Sequence, residues 1–218
     1  MHYEAFFFDF DGVLADSVEV KTRAFAKLVE PYGPEIVERV IDHHRHHGGM
    51  TRVEKFHYYY REYLGTPLND NEMAELCRRF ATLVVDAVVA APEILGAEEF
   101  LKRWSSRLDC FVISAAPEEE VREIVKRRGM TGYFKEVLGA PTDKKTNLHT
   151  LLNKYGLNPS RCCFFGDAES DYEAARACGT HFIGIVPDAG APLLKLHSGI
   201  SWTRDFRDPE KILASKLT

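Results

Sequence analysis

The feature that most restricts how this chain can fold is a repeated alternation of short apolar runs with amphipathic helical stretches. Runs at Glu4 to Asp9, Asp109 to Ser114, Phe134 to Leu138, Arg161 to Gly166 and His181 to Val186 are bounded by turn residues, so they read as buried strands. Helical periodicity fills Pro117 to Arg128, Lys145 to Tyr155 and Ala168 to Cys178. Each of these helices stops near a glycine, Gly129, Gly156 or Gly179, where a left-handed residue closes the last turn. Strand–helix–strand repetition implies parallel pairing with right-handed crossovers, so a doubly wound α/β sheet is expected.

One interval departs from the alternation. From Ser17 to Ala90 there is helical periodicity without a strand pattern, punctuated by Pro31, Gly33, Gly48, Gly49, Gly65 and Pro67. A helical insert placed directly after the first strand accounts for it. Residues 1–16 and 91–218 are then expected to form the α/β core, and residues 17–90 a helical cap. A chain of 218 residues is long enough to bury such a core.

Composition narrows the partners. A net charge of −5 argues against nucleic acid or an anionic membrane as the main partner, since both select a basic face. No apolar run reaches the roughly 18–20 residues that span a bilayer. The five cysteines show no CxxC spacing and read as reduced core thiols. A soluble cytoplasmic protein, monomer or homodimer, is the expectation.

In open α/β sheets, ligands bind beyond the carboxyl ends of the strands. Several of those ends carry polar residues here: Asp9 and Asp11 after the first strand, Ser114 at the end of the second, and Asp167 after the fourth. Thr142-Asp143-Lys144-Lys145 follows the third. A carboxylate closing the run Phe6-Phe7-Phe8 is costly as mere core, because buried charges need partners. Two aspartates two residues apart suit phosphoryl transfer. One attacks phosphorus to form an aspartyl-phosphate, and the other protonates the leaving oxygen and later activates water. Crowded anions of this kind call for a hard divalent cation, and Mg²⁺ fits, with Asp167 able to complete its shell. A lysine can neutralise the phosphoryl oxygens, which the Ser114 hydroxyl and nearby N–H groups can also bind.

These residues resemble the motifs of the haloacid dehalogenase superfamily. The segment from Asp9 through Asp11 and Gly12 to Asp16-Ser17 resembles its first motif, Ser114 in Val112-Ile113-Ser114-Ala115-Ala116 its second, and Gly166-Asp167 to Asp171 the GDxxxD form of its fourth. The resemblance runs the whole chain in order and includes a helical cap after the first strand. It implies Asp9 as nucleophile, Asp11 as general acid/base, and Mg²⁺ held by Asp9, the Asp11 backbone carbonyl and Asp167. For the third motif, Lys144 and Lys145 both stand in place, and family spacing favours Lys144. Asp171 is left with two roles, a metal contact through water or orientation of the lysine. Dehalogenases of the superfamily lack the second aspartate, and phosphonatases carry a small residue there with a lysine in the cap. Asp11 therefore points to phosphate esters.

In the cap, the loop Gly48-Gly49-Met50-Thr51-Arg52 is expected to face the site, with Gly49 allowing close approach, Arg52 clamping an anionic group, and Ala115 offering its N–H from the core side. His43, His44, His46 and His47 read as a solvated or substrate-facing helix end, with His47 nearest the substrate. The stripe Phe56, Tyr59, Tyr60 and Tyr63 reads as packing within the cap. Lys126, Arg127 and Arg128 suit a helix C-terminus. The expected activity is Mg²⁺-dependent hydrolysis of a small phosphomonoester, a sugar phosphate or phosphoglycolate-like metabolite. A sugar-phosphate mutase is the alternative, and a non-catalytic binding module ranks below both.

Overall fold

The computed structural model describes residues 2–209 and 213–214. Six strands, β1 (Ala5–Phe8), β2 (Asp109–Pro117), β3 (Glu136–Ala140), β4 (Cys162–Gly166), β5 (His181–Ile185) and β6 (Trp202–Thr203), form one parallel sheet in the order β3-β2-β1-β4-β5-β6. Five of them are the expected runs, with ends shifted by at most three residues. The two-residue β6 is too short to leave a pattern in sequence.

Both sheet faces are covered, which is why the strands are continuously apolar instead of alternating. On one face Phe6, Phe8 and Phe165 pack with Phe100 and Phe206; Phe8 and Phe165 stack at 5.0 Å. On the other, Phe7 stacks on Phe111 at 5.1 Å, above Leu148 and Leu151. Helices α5 (Ala97–Trp104), α6 (Glu118–Arg127), α7 (Lys144–Tyr155), α8 (Glu169–Cys178) and α9 (Pro192–Leu196) belong to this core.

Between β1 and β2 the chain makes α1 (Val18–Val29), α2 (Pro34–His46), α3 (Arg52–Tyr58) and α4 (Asp70–Ala90), the expected helical cap. A π turn, Tyr59–Tyr63, extends α3. The two connections between cap and core run side by side. Asp16 N donates to Pro92 O at 2.9 Å, and Ala15 bridges Glu93. Arg128, expected only to complement a helix dipole, reaches from the end of α6 to the end of α4. Its Nη1 donates to Val88 O, Val89 O and Ala91 O at 2.7–3.0 Å. These carbonyls lie at the C-terminal end of α4, where the helix ladder runs out of donors.

The histidine tract corrects the sequence reading. His43 and His44 are buried on the inner face of α2, whereas His46 and His47 are exposed. His43 stacks on Tyr58 at 4.4 Å and on His47 at 4.1 Å. The Phe56 and Tyr59 stripe packs on Phe25 and Phe80 in the cap, as expected. No helix among the described residues is long and apolar enough to cross a membrane.

Candidate active site

The strand order changes direction at β1 and β4, which lie side by side. Their carboxyl ends therefore open a crevice at the point where open α/β sheets bind ligands. Asp9 leaves β1 and Asp167 leaves β4, so register alone brings the two carboxylates together: Phe8 pairs with Phe165. Asp9, Asp167 and Asp171 offer oxygens within 4.8 Å of one another.

Asp9 is held at both oxygens. Phe10 N donates to its Oδ1 at 2.6 Å and Lys144 Nζ to its Oδ2 at 2.7 Å. Local chemistry sets the lysine. Asp143 caps α7 by accepting from Thr146 N at 2.9 Å, which makes Lys144 the first helical residue, while Asn147 Nδ2 donates to Gly139 O and Thr142 O and ties down the preceding loop. Of the two candidate lysines it is Lys144 that is buried in the site; Lys145 is exposed.

Lys144 also donates to Asp171 Oδ1 at 2.6 Å, and Asp171 Oδ2 accepts from Ala168 N at 3.1 Å. Asp171 is 0% exposed, and its two bonds fix the lysine against the start of α8. That arrangement matches the lysine-orienting alternative for Asp171. Burial disfavours the ammonium of Lys144, but Asp171 and Asp9 outweigh it and raise its pKa. Asp167 has no such ion pair among the described residues: burial, then Asp9 and Asp171, push its carboxyl well above the usual range. A cluster of acids that repel one another in this way is the donor set a hard divalent cation takes, so the residues fit such an ion.

Asp11 points elsewhere. Its Oδ1 accepts from Ser17 Oγ at 2.6 Å and its Oδ2 pairs with Lys21, one turn into α1. Burial alone would raise its pKa; Lys21, with help from Ser17 and Lys144, holds it below the usual range. Gly12, next in sequence, has φ of +77°, and a Cβ there would collide with the Asp167 carboxylate. Gly12→Ala is expected to cost about 1–2 kcal/mol in backbone strain and to displace Asp167. Loss of activity on the order of 100-fold, with the circular dichroism spectrum retained, is the expected result.

Ser114 is 1% exposed, and its Oγ accepts from Ala116 N at 3.1 Å. Its proton has no acceptor among the described residues. Ala115 lines the cavity beside it. From the cap, a Cβ on Gly49 would strike Ser170 of α8, so this glycine lets the cap loop lie directly on the core. Arg52 begins α3 under a Thr51–Glu54 capping box, is 8% exposed, and pairs with Glu120 of α6 at 2.5 Å while lying over Phe80. It lines the site and bridges cap to core. His47 borders the outer cleft. That cleft, about 1600 Å³, opens between the cap loop and the loops after β3, β4 and β5, and an inner cavity of about 50 Å³ reaches Asp9 and Asp11.

Lys21, Lys55 and Glu120 were not singled out by sequence. Lys21 sits four residues after Ser17, and Lys55 three residues after Arg52, spacings that put each pair on one helix face. Glu120 meets Arg52 across 68 residues of chain and leaves no local signal.

Residues 3–179 match the family model of haloacid dehalogenase-like hydrolases. The chain belongs to that family. A phosphoglycolate phosphatase of Aliivibrio fischeri is 27% identical to this hydrolase over 187 residues, 82% of each chain. A phosphorylated carbohydrates phosphatase of Thermotoga maritima is 26% identical, covering 84% of this chain and 85% of its own. In three dimensions, β-phosphoglucomutase from Clostridium difficile matches with a TM-score of 0.78 at 18% identity, over 98% of this chain and 97% of that one. At that identity the match shows a common fold.

Proposed function

We propose that this hydrolase is a magnesium-dependent phosphatase of a small phosphorylated metabolite, a sugar phosphate or a phosphoglycolate-like acid, acting through an aspartyl-phosphate on Asp9. One observation carries the reading: the two carboxylates after β1 have separate partners. Asp9 is held by the Phe10 amide and Lys144 beside Asp167, whereas Asp11 is held by the Ser17 hydroxyl and Lys21. The first is fixed for attack and the second is connected for proton exchange. Curated relatives named for phosphoglycolate and for phosphorylated carbohydrates support the phosphoester class.

In this reading Asp9 attacks phosphorus in line. Lys144 offsets charge on the nucleophile and the phosphoryl oxygens, and Ser114, its lone pair occupied by Ala116 N–H, gives its proton to one of those oxygens. The Ala115 N–H adds a donor beside it. A phosphate dianion beside Asp11 favours protonation of that carboxyl, which then supplies the proton the departing alcohol takes. Ionised again, Asp11 draws a proton from the water that hydrolyses the aspartyl-phosphate. Gly49 and Arg52 bring the cap over the site and keep bulk water from the first step. Asp9, Asp167 and the Asp11 carbonyl are the proposed ligands of Mg²⁺, which when bound would neutralise the phosphoryl oxygens and make phosphorus more electrophilic.

The test is release of inorganic phosphate from a panel of small phosphomonoesters. With Mg²⁺ the protein is expected to release phosphate from at least one; EDTA should stop the reaction and added Mg²⁺ restore it. Isomerisation of a sugar phosphate with little phosphate released, and dependence on a bisphosphate primer, would identify a mutase. Folded protein that turns over no ester would overturn the enzymatic reading altogether.

A further inference from the structure

Three cationic side chains line the inner cavity beside Asp9: Lys21, Arg52 and Lys55. Two have anionic partners, Lys21 with Asp11 and Arg52 with Glu120. Lys55 has none. It is 1% exposed, makes no ion pair among the described residues, and its one hydrogen-bond partner is His44 Nδ1 at 2.7 Å. His44 is itself buried, and burial, followed by Lys55, drives its pKa down to about 2, so the imidazole is neutral and accepts from the amine. The Phe25 ring centroid lies 5.5 Å from Nζ.

A neutral acceptor does not offset a buried ammonium, whose removal from water is expensive without an opposite charge. Burial, then Lys21, accordingly lowers the Lys55 pKa to about 7. The carboxylates of the cavity, Asp9, Asp11 and Asp167, belong to the core side, and none forms an ion pair with Lys55 on the cap wall. The cavity volume of about 50 Å³ admits a group little larger than one or two waters. Building on the phosphatase reading, we infer that Lys55, oriented by His44, receives a second oxyanionic group of the substrate, so that the enzyme selects phosphomonoesters carrying a carboxylate or further phosphate close to the ester. Lys55 is then a specificity residue, and His44 positions it.

The experiment compares matched esters: 3-phosphoglycerate, 2,3-bisphosphoglycerate and glycerol 3-phosphate, which differ in the second anion. Wild-type protein with Mg²⁺ is expected to prefer one of the first two over glycerol 3-phosphate by about 100-fold in kcat/KM, and the preferred one tells carboxylate from phosphate. Lys55→Met, which keeps the volume, should collapse that ratio to within about threefold, chiefly through KM. The same variant should raise the melting temperature of the unliganded protein by about 5 °C, because an unpaired buried charge is gone. A structural role for Lys55 predicts the reverse shift. Hydrolysis of all three esters with the same ratios in wild type and variant, or a lowered melting temperature, overturns the assignment and leaves the phosphatase reading standing. Wild-type protein that releases phosphate from no ester in a wider panel overturns both.

Discussion

Asp9→Asn is expected to reduce phosphate release by a factor on the order of 10⁴ or more, with the fold intact. The amide keeps the shape of the carboxylate and can still accept from Phe10 N, but it is a poor nucleophile toward phosphorus. It also removes the negative partner of Lys144, whose second bond, to Asp171, survives. The companion variant Asp11→Asn separates the two half-reactions. With p-nitrophenyl phosphate the leaving phenolate needs no proton, so Asp11→Asn should give a burst of about one p-nitrophenol per active site and then stall at the aspartyl-phosphate. An alkyl phosphate should give neither burst nor turnover, because the alkoxide leaves poorly unless protonated. Near-normal turnover by Asp9→Asn would sink the aspartyl-phosphate mechanism. A linear time course for Asp11→Asn on both esters would remove Asp11 from it.

The core half of the candidate site was legible because strand ends carry it. Asp9, Ser114 and Asp167 interrupt apolar runs, and an apolar run that ends in a charge marks both where the strand stops and where the ligand binds. Lys144 was legible through family spacing, and the fold adds the local reason: Asp143 caps α7, so the residue after it opens the helix toward the crevice. Fold class followed from the same runs. Parallel pairing could be reasoned from the alternation, whereas β6, two residues long, has too little sequence to show a period.

The cap was harder to read because its partners are remote. His43 and His44 looked solvated in a tract of four histidines, yet α2 turns both inward, one against Tyr58 and Tyr59 and the other against Lys55. Buried imidazoles are tolerated as neutral acceptors and donors, so a polar letter in sequence does not report exposure. Lys55 is illegible in sequence for the converse reason: a lysine in an amphipathic helix is ordinarily on the solvent face. Arg128 read as part of a basic helix end, and the tertiary fold uses it to close the last turn of α4 across 37–40 residues. In each case the side chain's meaning is set by a group far along the chain.

Lys144→Met should destabilise the metal-free protein by about 3–5 kcal/mol near neutral pH, lowering its melting temperature by roughly 10 °C. The ammonium is buried between Asp9 and Asp171, and the substitution leaves Asp9, Asp167 and Asp171 within 4.8 Å of one another without the cation that now separates them. The pH dependence gives the prediction its sign. Asp167 and Asp171 already have pKa values above the ordinary carboxylate range, from burial and from their acidic neighbours, and loss of Lys144 raises them further. A carboxyl with a raised folded-state pKa binds more protons folded than unfolded, so its stabilising contribution is present at low pH and is lost as pH rises through the folded value. The deficit of Lys144→Met relative to wild type should therefore be large at pH 8 and shrink toward pH 5. Scanning calorimetry of both proteins in EDTA at the two pH values measures it. A deficit that is absent at pH 8, or that grows on acidification, would mean that the three carboxylates do not share the strain that Lys144 relieves.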